Sequence, residues 1–161
     1  MNELDLEFLR QSIEVARRAR EHGNHPFGAV LVDAKGTLLL EAENTVVTQR
    51  DCTGHAETNL MRLASQHFDE DFLRGCTLYT STEPCAMCSG AIYWGGVGRM
   101  VFALSEGALH ELTGADPENP TLSLPSREVF ARGQRPVEVL GPALELDAPA
   151  RAVHAGFWHK A

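Results

Sequence analysis

Between residues 3 and 22, Leu6, Leu9, Ile13 and Ala16 recur at helical spacing, with Asn2 placed to cap the start and Gly23 to stop the end. The pattern predicts a helix that lays one apolar face on a core. Residues 27–33 are an apolar run, Lys35-Gly36 reads as a turn, and residues 37–42 supply the return strand of a hairpin. A polar stretch over residues 44–54 then leads to His55, after which a second helix is expected with Leu60, Leu63 and Ala64 on its buried face. Residues 76–82 have strand composition and run straight into Pro84, a helix-start residue. Further strands are expected over 100–104 and 137–140, with a short helical piece around 108–112, a Gly/Pro/Asn loop over 114–120, and a terminal helix over 148–160 that carries Phe157 and Trp158. Strands alternating with helices predict an α/β fold, a sandwich with a mixed central sheet of about five strands.

Composition narrows the setting. A chain of 161 residues, 43% hydrophobic, fits one domain over 1–161 around one core, with 143–161 as a helical lid or interface segment. No apolar run approaches the roughly 20 residues of a membrane span, and the N-terminus lacks a basic, apolar and small-residue processing pattern, so a cytoplasmic protein is expected. The net charge of −8 opposes a polyanionic partner, and the arginines at 17, 18, 20, 127, 132 and 135 read as solvated charges, not as a nucleic-acid patch.

Candidate chemistry lies in His55-Ala56-Glu57 and Pro84-Cys85-Ala86-Met87-Cys88. If Cys85 and Cys88 open a helix, three steps of about 100° bring both sulfurs to one side, able to share one ion. His55 and Glu57 diverge by roughly 200° on a helix, so they divide the work: the imidazole as ligand, the carboxylate free to move protons. One imidazole and two thiolates are three zinc ligands, leaving the fourth position to water. Plainer readings are a redox dithiol, or a structural zinc site completed by Cys52, while Cys76 reads as an ordinary thiol.

At these residues the chain resembles the zinc-dependent cytidine/deoxycytidylate deaminase superfamily, whose His-x-Glu and Pro-Cys-x-x-Cys halves are both intact and in order. The resemblance implies a three-layer αβα sandwich, one zinc ion on His55, Cys85 and Cys88, and Glu57 as the catalytic proton carrier. Pro26-Phe27-Gly28-Ala29-Val30, the Asn44 loop and Ala91-Ile92-Tyr93-Trp94 look most like bacterial guanine deaminases, over about residues 10–104. Bacterial tRNA adenosine deaminases share the Gly-Ala-Val and the Asn, but usually have an aliphatic residue at the Phe27 position and lack the Tyr-Trp. By resemblance the substrate-binding set is Phe27, Asn44, Trp94, Asp116 and Glu118: a ring face for the base, an amide for its edge, and loop acids for its N–H groups. The implied reaction is hydrolysis of guanine to xanthine and ammonia by a homodimer, with Phe157 and Trp158 able to cover an active site. Alternatives are another free base, a nucleoside or a triazine analogue, a tRNA adenosine deaminase, and a non-enzymatic zinc-stabilised binding module.

Overall fold

The computed structural model describes residues 1–158. Its elements, in order, are α1 (Glu3–Glu21), β1 (Gly28–Val32), β2 (Leu38–Glu43), α2 (Val46–Gln49), α3 (Ala56–His67), α4 (Glu70–Arg74), β3 (Thr77–Thr82), α5 (Ala86–Gly95), β4 (Arg99–Leu104), α6 (Glu106–Thr113), α7 (Ser126–Ala131), β5 (Glu138–Leu140), a 3-10 turn at Leu144–Leu146, and α8 (Asp147–Ala152). The sheet runs β2-β1-β3-β4-β5. β1 is antiparallel to β2 and to β3, whereas β3, β4 and β5 are parallel, so the sheet is mixed as expected.

Alternation along the strands divides the core into two layers. Val30, Val32, Tyr79 and Val101 face α1, α6 and α8, where they meet Phe8, Leu9, Ile13, Leu109 and Ala150. Ala29, Leu31, Leu78, Met100 and Phe102 face the other way, onto Ala56, Leu60, Met61 and Ala64 of α3, Ile92 of α5 and Phe130 of α7. Helices cover both faces of the sheet, the three-layer αβα arrangement.

α1 is capped as its sequence predicts. Asn2 accepts from the Asp5 backbone N–H while the Asp5 carboxylate accepts from that of Asn2. Asp5 also receives Arg99 in a fork, at 2.7 and 3.0 Å, and the Tyr79 hydroxyl at 2.8 Å. Burial alone would raise this carboxyl, but the hydrogen bonds from Arg99, Asn2 and Tyr79 prevail and hold it down at about 2. Gly28 lets α1 sit directly on the start of β1, because a Cβ there would lie 2.4 Å from the Ala16 nitrogen.

Two expectations are corrected. Leu63 is exposed on α3, and Met61 takes its place in the core. The buried stripe centres on Leu60, Met61 and Ala64, and Leu63 stands about 100° from Ala64 and about 60° beyond Leu60, at its edge. The terminal helix expected over 148–160 is shorter: α8 ends at Ala152, the chain continues in turns, and Gly156 takes a positive φ that a continuing helix cannot contain. Residues 159 and 160 of that expected helix lie outside the described residues. No helix among the described residues is long and apolar enough to cross a membrane.

Candidate active site

Three helix starts converge at one end of the sheet. His55 caps α3, with Glu57 in its first turn. The end of β3 delivers Glu83, Pro84 and Cys85, and Cys85 caps α5. Beside it, the parallel neighbour β4 ends with Leu104 opposite Thr82, and Ser105 caps α6. Clefts at the carboxyl ends of parallel strands are where α/β folds build their sites, since loops and helix N-termini there can be varied without disturbing the sheet.

His55, Cys85 and Cys88 each offer a ligand atom, all within 4.8 Å of one another. The Cys85 Sγ lies 3.6 Å from His55 Nδ1. Tetrahedral zinc with bonds of about 2.0 and 2.3 Å sets that separation near 3.5 Å, so the donors fit the ion. The Cys85 thiol is held down at about 4 by hydrogen bonding from Cys88 and, against the effect of burial, from His55. Cys88 is pushed well up by sharing its proton with Cys85 and by burial. Both sulfurs bind a cation as thiolates, so metal binding here would release protons. The Thr58 hydroxyl stands 3.2 Å from Cys88 Sγ, placed to donate to the thiolate.

Glu57 is fully enclosed. Burial pushes its carboxyl up, opposed by a hydrogen bond from the Thr80 hydroxyl, which fixes its orientation from the sheet. His55 is shifted upward by its contact with Cys85, against burial. Glu83, also buried, accepts three hydrogen bonds: from the Glu106 backbone N–H at 3.1 Å, the Ser126 N–H at 3.0 Å and the Ser126 hydroxyl at 2.8 Å. It ties the turn before Cys85 to the starts of α6 and α7. On the opposite wall, the Asn59 amide donates to the carbonyls of Glu43 and Gly54 and to the Thr45 hydroxyl, holding the loop that carries His55.

His55, Glu57, Glu83 and Cys85 border a cavity of about 410 Å³. Phe27, Asn44 and Glu118 line it, as the sequence suggested, beside His55, Glu57 and Cys85. Asn44 is buried, and its side-chain oxygen accepts from the Val46 N–H at 3.1 Å, so it ends the hairpin, turns the chain into α2 and faces the cavity at once. Two nominees fall elsewhere. Asp116 is in the right loop, but its carboxylate accepts the Glu118 backbone N–H and it does not border the cavity. Trp94 stands 78% exposed at the far end of α5, about two turns from the cysteines, because the helix carries it away from its own N-terminus. Cys52 lines the cavity mouth, outside the ligand cluster, and so does not complete a fourth thiolate. Phe157 and Trp158 lie 4.8 Å apart and pack on His25 and Phe27 of the same chain, with ring centroids 5.5 to 6.1 Å away, forming a backing layer to that wall.

Several residues were missed from sequence. His25 reaches Glu118 at 3.1 Å across the cavity rim. Thr80, Thr58 and Glu83 work through partners distant in sequence, and no local pattern marks them. Glu106, in the first turn of α6, lines the cavity with its carboxyl buried. Burial first, then the like charges of Cys85, Glu83 and Glu57, push it up to about 8.

Residues 2–104 match the family model described as the cytidine and deoxycytidylate deaminase zinc-binding region. The chain belongs to this deaminase family. A probable cytosine deaminase of Schizosaccharomyces pombe is 44% identical over 158 residues, spanning 98% of this chain and 94% of that protein. The guanine deaminase of Bacillus subtilis is 43% identical over 88 residues, 54% of this chain and 56% of that one. Among solved structures, a guanine deaminase from Nitrosomonas europaea superposes with a TM-score of 0.71 at 27% identity, covering 92% of this chain and 83% of the other. The protein is therefore a zinc-binding deaminase of the nucleobase or nucleoside type, with His55, Cys85 and Cys88 as its metal cluster.

Proposed function

We propose that this deaminase hydrolyses a free nucleobase rich in N–H donors, guanine before others, to the corresponding oxo base and ammonia. The observation that carries the proposal is the lining of the cavity: the Phe27 ring, the amides of Asn44 and Asn119, and the carboxyl groups of Glu83, Glu106 and Glu118 beyond Glu57, gathered at the metal cluster around about 410 Å³. Guanine offers N1–H, an exocyclic amine and an imidazole N–H, which suit acceptor groups. Phe27 presents its ring to the plane of the base. Because the Asn44 oxygen is engaged by Val46, the free function of that side chain is its NH₂, which donates to a carbonyl or ring nitrogen.

His55, Cys85 and Cys88 would hold the zinc ion, which would supply a water of lowered pKa as the nucleophile. Glu57 would carry two protons in turn: one from the attacking water to a ring nitrogen as the C–O bond forms, and a second from the new hydroxyl to the amine as the C–N bond breaks and ammonia leaves. Thr80 keeps the carboxylate turned toward both positions. The acidic chain, at −8, supports a small substrate over a tRNA.

Cytosine is the second reading, favoured by the S. pombe relative whose match runs the length of both proteins. Ammonia release from guanine, cytosine, adenine, guanosine, cytidine and an anticodon stem-loop decides. Turnover of guanine alone supports the reading, turnover of cytosine alone replaces guanine, and turnover of the stem-loop removes free bases altogether. We also take the deaminase to be a homodimer, supported by the apolar outer face of α5 with Met87, Ala91 and exposed Trp94 at helical spacing. A monomer in sedimentation at micromolar concentration rejects this.

A further inference from the structure

We propose that Glu106 is a substrate-recognition residue whose carboxyl group hydrogen-bonds an N–H of the base in the cavity. This deepens the reading above and rests on it for the class of ligand. Three buried glutamates surround the metal cluster, and they differ in how their carboxyl groups are satisfied. Glu83 accepts three hydrogen bonds and Glu57 accepts from Thr80. Glu106 is 8% exposed, and among the described residues no hydrogen bond reaches its carboxyl group. Its side chain lines the cavity, so the donors its carboxyl group lacks within the chain are left to water or to a ligand there.

The position supports the same conclusion. Glu106 is the first residue of α6, directly after the N-cap Ser105 and one strand over from Cys85, so its side chain enters the cavity beside the metal cluster. An acid in a first turn also complements the helix dipole. That role needs no burial, because solvent-exposed acids such as Glu3 and Glu70 serve it on α1 and α4. What a buried acceptor requires is a donor that arrives with the substrate. Glu57 serves the reacting ring nitrogen and amine, so Glu106 answers a further N–H, a group that guanine carries at N1 and at its imidazole edge.

The test is a thermodynamic cycle on the zinc-loaded protein. Binding of guanine, 1-methylguanine, 9-methylguanine and cytosine is measured by equilibrium dialysis for wild type, Glu106→Gln and Glu106→Asp, alongside zinc content, melting temperature and the separate kcat and KM values. Glu106→Gln is expected to weaken the best-bound base at least tenfold and to raise KM more than it lowers kcat, with zinc content unchanged, while Glu106→Asp recovers part of the loss. One methylated base should lose as much against wild type, and the two losses should not add. Unchanged binding in Glu106→Gln, additive losses with every methylated base, or a loss of zinc that accounts for the effect each overturn the proposal. A wild type that binds bases without releasing ammonia defeats the substrate reading alone, and one that binds none of them defeats both.

Discussion

Glu57 and Thr58 sit side by side on α3 and face different tasks. The Glu57 carboxyl is anchored by Thr80 and has no place in the ligand cluster, so Glu57→Ala should lower kcat by roughly a thousandfold while zinc remains at one per chain. Loss of zinc in that variant would make Glu57 a ligand and end its assignment as proton carrier. Thr58 acts on the metal through Cys88. Removing the hydroxyl in Thr58→Val takes a donor from the thiolate, and zinc should be held on the order of tenfold less tightly in competition with a chelator. An unchanged affinity would leave that contact without consequence. The ligands and Glu57 were legible in sequence because the spacing that makes the chemistry is local. Glu106 was not, since its meaning arises only when β4 lies parallel to β3 and brings the start of α6 next to Cys85.

The elements differ in the same way. α1, the hairpin and the starts of α3 and α5 could be read because each has a period, a cap or a turn of its own. α2, α4 and α7 span only four to six residues, too short to show a period, and they are held by Asn44, Asp69 and the Glu83–Ser126 contact respectively. The end of the chain misled because the apolar pair Phe157-Trp158 looks helical, whereas Gly156 turns it back onto Phe27. At this scale a mostly buried fastening is Asp5 with Arg99, which joins α1 to β4. Removing Asp5 takes the acceptor from Tyr79 and from the Arg99 fork and leaves Arg99 with exposed Glu138, so Asp5→Ala should cost about 2 kcal/mol in urea unfolding. A cost below about 1 kcal/mol would show the pair to be incidental.

For the whole molecule, acid is the informative stress. His154 is buried against Phe27 and Trp158 and accepts the indole N–H at 3.1 Å. Burial, with the Arg20 charge, pulls it down to about 4 from the ordinary 6.5. The fold therefore keeps it neutral where the unfolded chain would protonate it. Its contribution is complete above pH 6.5 and is lost as the pH falls from there to about 4, at up to about 1.4 kcal/mol per unit. Unfolding free energy measured across that window should fall, and His154→Leu should flatten the slope. An equal slope in both proteins would place the acid sensitivity elsewhere.

The three hydrogen bonds on Glu83 bear on how such a deaminase can be recombined. Every metal ligand lies within residues 2–104, so that segment looks portable, yet two of the three donors holding the turn before Cys85 belong to Ser126. A chimera that keeps the zinc half and imports a relative's specificity loops must also import a hydroxyl at the start of α7, or it inherits the ion in a loosened seat.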